Sequence, residues 1–294
     1  MTWRYAALAI GVLIVSTAAL LIRLAIDAGA GPLAVAAGRL TLAAAVVVPF
    51  AMIRRGPELR GLSRRDWSAA ALAGLFLAVH FATWIASLRY TSVASSVALV
   101  TTNPIWVGLL SWLLLSEPPS RRTAGGIALC VLGSVLIIAS DLAADAPAPG
   151  REPMLGNALA LAGAVAISGY FLVGRKLNWR LTLLTYVAIV YGAAAVAMNA
   201  IAIAAGQGLW TIPAAAWLPI AAMALGPQLA GHTLINASLR HLSATFVSLA
   251  ILGEPVGSAV LAWLLLGEGF APLQLAGFAS LLVGIAVAAG GERG

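Results

Sequence analysis

The sequence predicts an all-α membrane protein in which ten transmembrane helices form two inverted five-helix repeats. Three observations support this prediction. Hydrophobic residues make up 62% of the 294 residues and charged residues only 9%, so the chain has too little polar surface to cover a soluble globule. The apolar residues fall into ten segments, each long enough to cross a bilayer. The two halves of the sequence also resemble each other.

The ten segments, called spans below, are separated by short connectors. No alternating strand pattern appears, and a backbone in lipid must satisfy its own hydrogen bonds, so each span is expected to be a helix. The first is interpreted as a retained helix because no small-residue cleavage pattern ends it early. The predicted spans are 4–26, 32–53, 66–88, 93–115, 122–140, 154–174, 181–204, 215–239, 244–266 and 272–290.

An internal repeat relates the two halves. A shift of 151 positions places Pro104 on Pro255 and Gly126 on Gly277, and upstream of Ser238 the shift becomes 152, which places His80 on His232. Because each repeat has five spans, the second enters the membrane upside down relative to the first. An inverted repeat with breaks at matched depth indicates a transporter whose binding site lies between the repeats.

Charge sets the expected topology. An inside N-terminus places most of the 17 Lys and Arg residues on the cytoplasmic side, together with both termini. The first repeat is predicted to span 1–140 and the second 154–294, joined by an inter-repeat loop at 141–153.

The pI of about 10.5 does not indicate nucleic-acid binding, because the cations are spread along connectors. A single cysteine, Cys130, provides neither a disulfide framework nor a Cys-based metal site.

Polar residues inside the fourth span are the first candidates for a site. Thr102, Asn103 and Trp106 lie close to one helical face around the centre of the span. Pro104 lacks a backbone donor and frees the carbonyl of Val100, so a kink or break is expected there. Two interpretations remain open: the polar side chains satisfy the freed backbone, or they line a cavity.

Glu254, beside Pro255, lies near the middle of the ninth span. Ionised at that depth it would cost roughly 2.5 kcal/mol or more, which demands an explanation. Three alternatives stand: a protonated Glu254 bonds the backbone opened by Pro255, a carboxylate pairs with a cation such as Arg39 or a protonated histidine, or Glu254 binds and releases protons during transport. If the protein does not sense protons, Glu254 is a hinge group, and Pro104 and Pro255 have a purely mechanical role.

Two histidines occupy corresponding places in the third and eighth spans. His80 has Trp84 four residues on, and His232 has Asn236 four residues on, so each pair shares one helical face. Gln228 lies one turn before His232. A lone histidine in a membrane is usually a satisfied hydrogen-bonding group, but two at matched positions favour a shared cavity.

Arg39 in the second span and Arg23 in the first flank the first external loop. One interpretation is that both snorkel to the membrane interface. The alternative for Arg39 is that it faces inward and binds a carboxylate.

These residues carry a recognisable repeat motif. It reads Pro104, Ser116-Glu117, Gly126 and Gly133 in the first half, and Glu254-Pro255, Gly267-Glu268, Gly277 and Gly284 in the second. The chain therefore resembles the EamA-type exporters of the drug/metabolite transporter superfamily over almost its whole length. Arg39 matches the second-span arginine of that family. One departure is that an aromatic residue often found near Val15 and Ile167 is absent.

The resemblance implies a ten-helix carrier of the bacterial inner membrane with a cavity built by the third, fourth, eighth and ninth spans. The expected partners are a small-molecule substrate and the lipid bilayer, with no cofactor, metal or nucleic acid, and the carrier is expected to act as a monomer. The residues predicted to line the cavity are His80, Trp84, Thr102, Asn103, Trp106, Gln228, His232, Asn236 and Ser248.

Indole, imidazole, amide and hydroxyl groups without a cluster of charges argue against phosphorylated solutes and favour neutral, zwitterionic or aromatic ones. Export of amino acids, aromatic or other hydrophobic ones included, is the leading hypothesis, and export of drugs or other metabolites is the alternative. A membrane enzyme has little support, because His-Glu-x-x-His and Gly-x-Ser-x-Gly motifs are absent and the four aspartates lie in loops or at span ends.

The third alternative for Glu254 has a direct test. If Glu254 carries a transported proton, Glu254→Gln removes the pH dependence of transport, because an amide does not titrate. Transport with an unchanged rate and pH profile in Glu254→Gln would eliminate proton coupling at this residue.

Overall fold

A computed structural model describes residues 2–91, 93–116, 118–143, 152–178, 180–266 and 271–291. Glu117, Glu268 and residues 144–151 of the predicted inter-repeat loop lie outside these ranges. The helices are α1 (Thr2–Val15), α2 (Ala18–Asp27), α3 (Pro32–Gly61), α4 (Arg64–Tyr90), α5 (Val93–Val100), α6 (Asn103–Leu115), α7 (Arg121–Ala143), α8 (Pro153–Asn178), α9 (Leu183–Ala204), α10 (Trp217–Met223), a π-helical segment (Ala224–His232), α11 (Thr233–Ser238), α12 (Ala244–Ile251), α13 (Gly253–Leu266) and α14 (Pro272–Gly291).

The described residues form helices and no strands, which confirms the predicted fold class. Six helical stretches are individually long and apolar enough to cross a membrane, with mean hydropathies from 1.2 to 2.4: Trp3–Asp27, Pro32–Gly61, Arg64–Tyr90, Met154–Leu177, Leu183–Ala204 and Ala214–Ser238. The stretches Asn103–Leu114, Ala244–Ser258 and Leu275–Ala288 are apolar but shorter. The chain is a multi-pass membrane protein.

The fourth and ninth spans are broken at their prolines, as predicted. In the fourth span α5 ends at Val100, and α6 begins at Asn103 with Pro104 in its first turn, where a missing donor costs nothing. In the ninth span α12 ends at Ile251 and α13 begins at Gly253. Each broken span therefore consists of two half-helices that meet near its middle.

Two further irregularities were not predicted. The first span, expected to be continuous, breaks at Ser16 and Thr17, whose hydroxyls donate to carbonyls of their own helix at Val12 and Ile14, both at 2.8 Å. Such bonds compete with the helical ladder. The eighth span is continuous but widens into the π-helical segment around Pro227, which lacks a backbone donor.

Helices α3 and α9 pack against each other with reciprocal caps at their ends. Glu58, near the end of α3, accepts hydrogen bonds from the backbone N–H and the hydroxyl of Thr182 at the start of α9, both at 2.8 Å. Gln207, just after α9, accepts from the backbone N–H of Leu33 at the start of α3 at 3.0 Å. The two helices are thus antiparallel and fixed at both ends.

Helices α7 and α14 show the inverted symmetry of the two repeats. A Cβ on Gly126 would meet the carbonyl oxygen of Gly284 at 2.6 Å, and a Cβ on Gly133 would meet that of Gly277 at 2.7 Å. The two contacts run in opposite directions along the helices, so the pair is antiparallel. Between them the thiol of Cys130 lies 3.7 Å from the carbonyl oxygen of Leu281. The glycines allow the two backbones to pack in direct contact. Such close packing is common between membrane helices, because lipid provides no hydrophobic effect to hold them together.

The half-helices of the fourth and ninth spans depart from this symmetry. In the repeat, α5 corresponds to α12 and α6 corresponds to α13, so the contact between α6 and α12 corresponds to the contact between α13 and α5. Yet α12 packs along α6, whereas α5 and α13 touch over a much shorter stretch. The contact between α6 and α12 is therefore more extensive than that between α5 and α13.

The glycine contact predicts a difference between neighbouring residues. Gly126→Ala places a methyl group against the backbone of α14, and overpacking of this kind costs about 1–3 kcal/mol. Gly125 is exposed, and a Cβ at this position would meet no atom within 4 Å, so Gly125→Ala leaves the stability unchanged or raises it by up to about 1 kcal/mol. Thermal unfolding of the purified variants in detergent measures both. Equal melting temperatures would contradict the close α7–α14 contact.

Candidate functional site

Arg39 is the centre of the candidate site. It lies on α3 with none of its surface exposed. Its Nε donates to the side-chain oxygen of Gln228 at 3.0 Å, and its guanidinium lies over the ring of Phe81, 4.1 Å from the ring centre. The interpretation that Arg39 snorkels to the interface is therefore wrong. Arg23 does lie at the surface, where it pairs with Asp27 at 3.5 Å. The difference arises because Arg39 faces the third and eighth spans, which supply Phe81 and Gln228.

An aromatic cluster surrounds the guanidinium. The rings of His80 and Trp84 are stacked with centres 5.6 Å apart and an interplanar angle of 21°. The ring centre of Phe81 lies 4.9 Å from that of His80, and it lies 5.7 Å from that of His232, which meets Phe81 edge-on. The third and eighth spans thus bring both predicted histidines to Phe81, the ring on which the Arg39 guanidinium lies.

The two histidines differ in their hydrogen bonds. Nδ1 of His80 lies 3.0 Å from the carbonyl oxygen of Gly163 on α8 and donates to it when that nitrogen carries the proton. Nδ1 of His232 is buried and has no hydrogen-bond partner among the described residues. Equivalent sequence positions therefore present a fixed ring in one repeat and an unbonded nitrogen in the other.

Tyrosines of the sixth and seventh spans support this cluster from behind. Tyr191 donates to the backbone oxygen of Gln228 at 3.2 Å, and its hydroxyl lies 3.3 Å from that of Thr233. Tyr170 donates to the side-chain oxygen of Asn236 at 2.7 Å. These bonds fix the π-helical segment and the start of α11, and with them the amide that binds Arg39.

Glu254 enters the site from the first turn of α13. It is 7% exposed, and its Oε1 is buried without a hydrogen-bond partner in the part of the chain that the structure describes. No ion pair joins Glu254 to Arg39 among the described residues, where the ion pairs include Arg23 with Asp27 and Arg180 with Asp66. The structure therefore does not show the pairing that the second alternative requires, and all three alternatives for Glu254 stay predictions.

A side chain of the second repeat bonds the break of the first span. Ser258 on α13 donates to the carbonyl of Ser16 at that break, at 2.8 Å. Ser168 on α8 donates to the carbonyl of Ala164 in its own helix at 2.7 Å, and the carbonyl oxygen of Asn103 lies 3.2 Å from the same hydroxyl. Within the described residues, no three His, Cys, Asp or Glu side chains come close enough to hold a metal ion.

Comparison with known proteins identifies the family. The model of the EamA-like transporter family matches residues 2–139 and again residues 154–290. The chain belongs to the EamA-like transporter family. It is thus a membrane transporter, as the sequence motif predicted.

This EamA-like transporter also resembles two individual proteins. An uncharacterized transporter of Bacillus subtilis (strain 168), YyaM, is 22% identical over 262 residues, which cover 88% of this chain and 85% of the relative. A crystal structure of another protein matches 100% of this chain and 98% of its own, with a TM-score of 0.76 and 21% identity. The second likeness supports the fold alone.

This EamA-like transporter has further candidates in the fourth span, together with Ser248 of the ninth span. The hydroxyl of Thr102 donates to the carbonyl of Leu99 at 2.7 Å, and that of Ser248 donates to the carbonyl of Thr245 at 2.8 Å, each within its own helix or break. Thr102 and Pro104 line a recess towards α7. Oδ1 of Asn103 and Nε1 of Trp106 are buried without a partner among the described residues. A substrate contact for Thr102, Asn103, Trp106 and Ser248 stays a prediction.

Phe81 is the site residue that the sequence did not reveal. It reads as one more apolar residue of the third span, although its place beside His80 and three residues before Trp84 puts it within the same cluster. Tyr191 and Tyr170 stand out only weakly in the sequence, and the structure gives them a supporting role. Rings that pack on a cation look like ordinary core residues in a sequence.

The contact between Phe81 and Arg39 predicts a stability difference between two matched variants. Phe81→Leu removes the ring beneath a fully buried guanidinium and is expected to lower the free energy of unfolding by roughly 2 kcal/mol. Phe50 lies beneath Arg54, whose guanidinium carbon is 5.5 Å from the ring centre, but Phe50 is half exposed, so Phe50→Leu is expected to have little effect. Thermal melts in detergent give the comparison. Equal losses in the two variants would show that the Arg39 contact stabilises nothing.

Proposed function

We propose that this transporter exports amino acids, aromatic or other hydrophobic ones among them, across the bacterial inner membrane by alternating access, with both termini in the cytoplasm. The observation that carries the proposal is the composition of the central site. Arg39 is buried on the ring of Phe81, whose neighbours His80 and Trp84 are stacked, and the buried carboxyl group of Glu254 is expected at the same site. A site with one charge of each sign suits a zwitterion with an apolar side chain.

The same composition argues against other solute classes. Phosphorylated solutes carry about two negative charges and are bound by several cations or by backbone N–H groups, whereas Arg39 is accompanied here by two histidines and a carboxyl group. Purely apolar drugs would leave a buried guanidinium and carboxylate without compensation, which is costly at this depth.

Alternating access is supported by the unequal packing of the half-helices. In the predicted orientation, α6 and α12 are the cytoplasmic halves of the fourth and ninth spans, and they pack together more extensively than the outer halves α5 and α13. Exchange of the two arrangements, which are related by the repeat, would open the site to the cytoplasm and close it to the outside. Breaks at the middle of both spans let the halves move separately.

Counterflow in proteoliposomes tests this proposal. Vesicles containing the purified transporter are loaded with one unlabelled amino acid and diluted into the same labelled amino acid, for a panel that includes phenylalanine and leucine, with and without a pH gradient. We expect saturable counterflow, because a carrier that releases unlabelled amino acid outside the vesicle binds labelled amino acid there and carries it back inside. Protein-free vesicles are the control. A passive channel gives equilibration without overshoot, and absence of saturable flux for every amino acid would overturn the proposal in favour of drug or other metabolite export.

A further inference from the structure

The side chain of Arg39 is held so that one end of it remains available. Its Nε is bonded to Gln228, and its flat face lies on Phe81. Gln228 is fixed in turn by the hydroxyl of Tyr191 through its backbone oxygen. The two terminal nitrogens, Nη1 and Nη2, are buried and have no hydrogen-bond partner among the described residues. These two nitrogens present the parallel donors that bind a carboxylate in bidentate fashion.

Glu254 supplies the opposite charge from the other repeat. Its Oε1 is likewise buried without a partner in the described part of the chain. Both groups are buried, and no ion pair joins them in the part of the chain that the structure describes. A fold that used them only to neutralise each other would gain most from direct contact, because a buried pair repays its desolvation only with close geometry. Instead, each keeps hydrogen-bonding capacity for a third group.

We propose that Arg39 and Glu254 together bind the main-chain end of an α-amino acid, with the substrate carboxylate on Nη1 and Nη2 of Arg39 and the substrate ammonium on Glu254. The inference rests on the proposed function and adds to it the two groups that select a zwitterion. Arg39 belongs to the first repeat and Glu254 to the second, so one substrate bridges the two repeats at the break of the ninth span. The pair accepts any side chain and discriminates by the charged groups alone.

The role of the pair can be measured as discrimination within sets of related compounds. One set is phenylalanine, 3-phenylpropionate, which lacks the ammonium, and phenethylamine, which lacks the carboxylate. A second set is leucine, 4-methylpentanoate and isopentylamine. Competition by each compound against counterflow of the labelled amino acid gives its affinity for the full-length transporter in proteoliposomes. In the unchanged protein we expect both amino acids to compete at least 10-fold better than their analogues.

Two variants separate the two contacts. In Glu254→Gln the advantage of phenylalanine over 3-phenylpropionate is expected to fall at least 10-fold, because the ammonium loses its partner, while its advantage over phenethylamine is kept. In Arg39→Gln the advantage of phenylalanine over phenethylamine is expected to fall at least 10-fold, while its advantage over 3-phenylpropionate is kept. Arg39→Lys keeps the charge but not the paired donors, so the affinity for phenylalanine is expected to fall at least 10-fold. Arg23→Gln removes an exposed arginine from the ion pair with Asp27 and is the matched control, expected to behave as the unchanged protein.

Loss of folding and loss of discrimination are distinguished by thermal melts and size-exclusion profiles of each variant. If an Arg39 variant fails to fold, the affinity ratio of phenylalanine to 3-phenylpropionate in Glu254→Gln still tests the inference. Amino-acid counterflow with unchanged ratios in folded Glu254→Gln would overturn this inference while leaving the proposed function in place. Absence of counterflow in the unchanged protein would overturn both.

Discussion

The backbone hydrogen-bonding requirement in lipid is the constraint from which the rest of this structure follows. A broken helix releases N–H and C=O groups that hydrocarbon cannot satisfy, so breaks are tolerated only where protein surrounds them. At the break of the first span, the carbonyl of Ser16 accepts a hydrogen bond from Ser258, a side chain of the opposite repeat. The irregular helices therefore converge in the interior, and the polar chemistry of the transporter converges with them.

A buried cation is stable at this depth only because several spans hold it. Arg39 donates a hydrogen bond to the eighth span and lies on a ring of the third. The helix that carries it is bonded to α9 through Glu58 and Gln207 near its two ends, and through the bond from Asn199 to Thr41 at 2.7 Å between them. Helices α3 and α9 are thus joined along their length, whereas the fourth and ninth spans each consist of two separate helices.

The two repeats share a shape but not a chemistry. His80 is bonded to Gly163, whereas Nδ1 of His232 has no partner among the described residues, and α12 packs along α6 where their counterparts α5 and α13 barely meet. The proposed function uses both aspects. Similar shapes would make two related arrangements available, and different side chains would let one substrate contact each repeat through a different charge.

Hydropathy, repeat register and a missing N–H are local properties, so the ten spans, their inverted duplication and the breaks at Pro104 and Pro255 could be predicted from the sequence alone. The sequence also brought forward His80, Trp84, Gln228, His232 and Glu254, since polar groups at that depth stand out. It could not tell that Arg39 faces inward, that Phe81 lies beneath it, or that the first span breaks at Ser16 and Thr17. Each of these depends on which helix lies against which face, and that is set in the folded protein by packing between residues far apart in the chain.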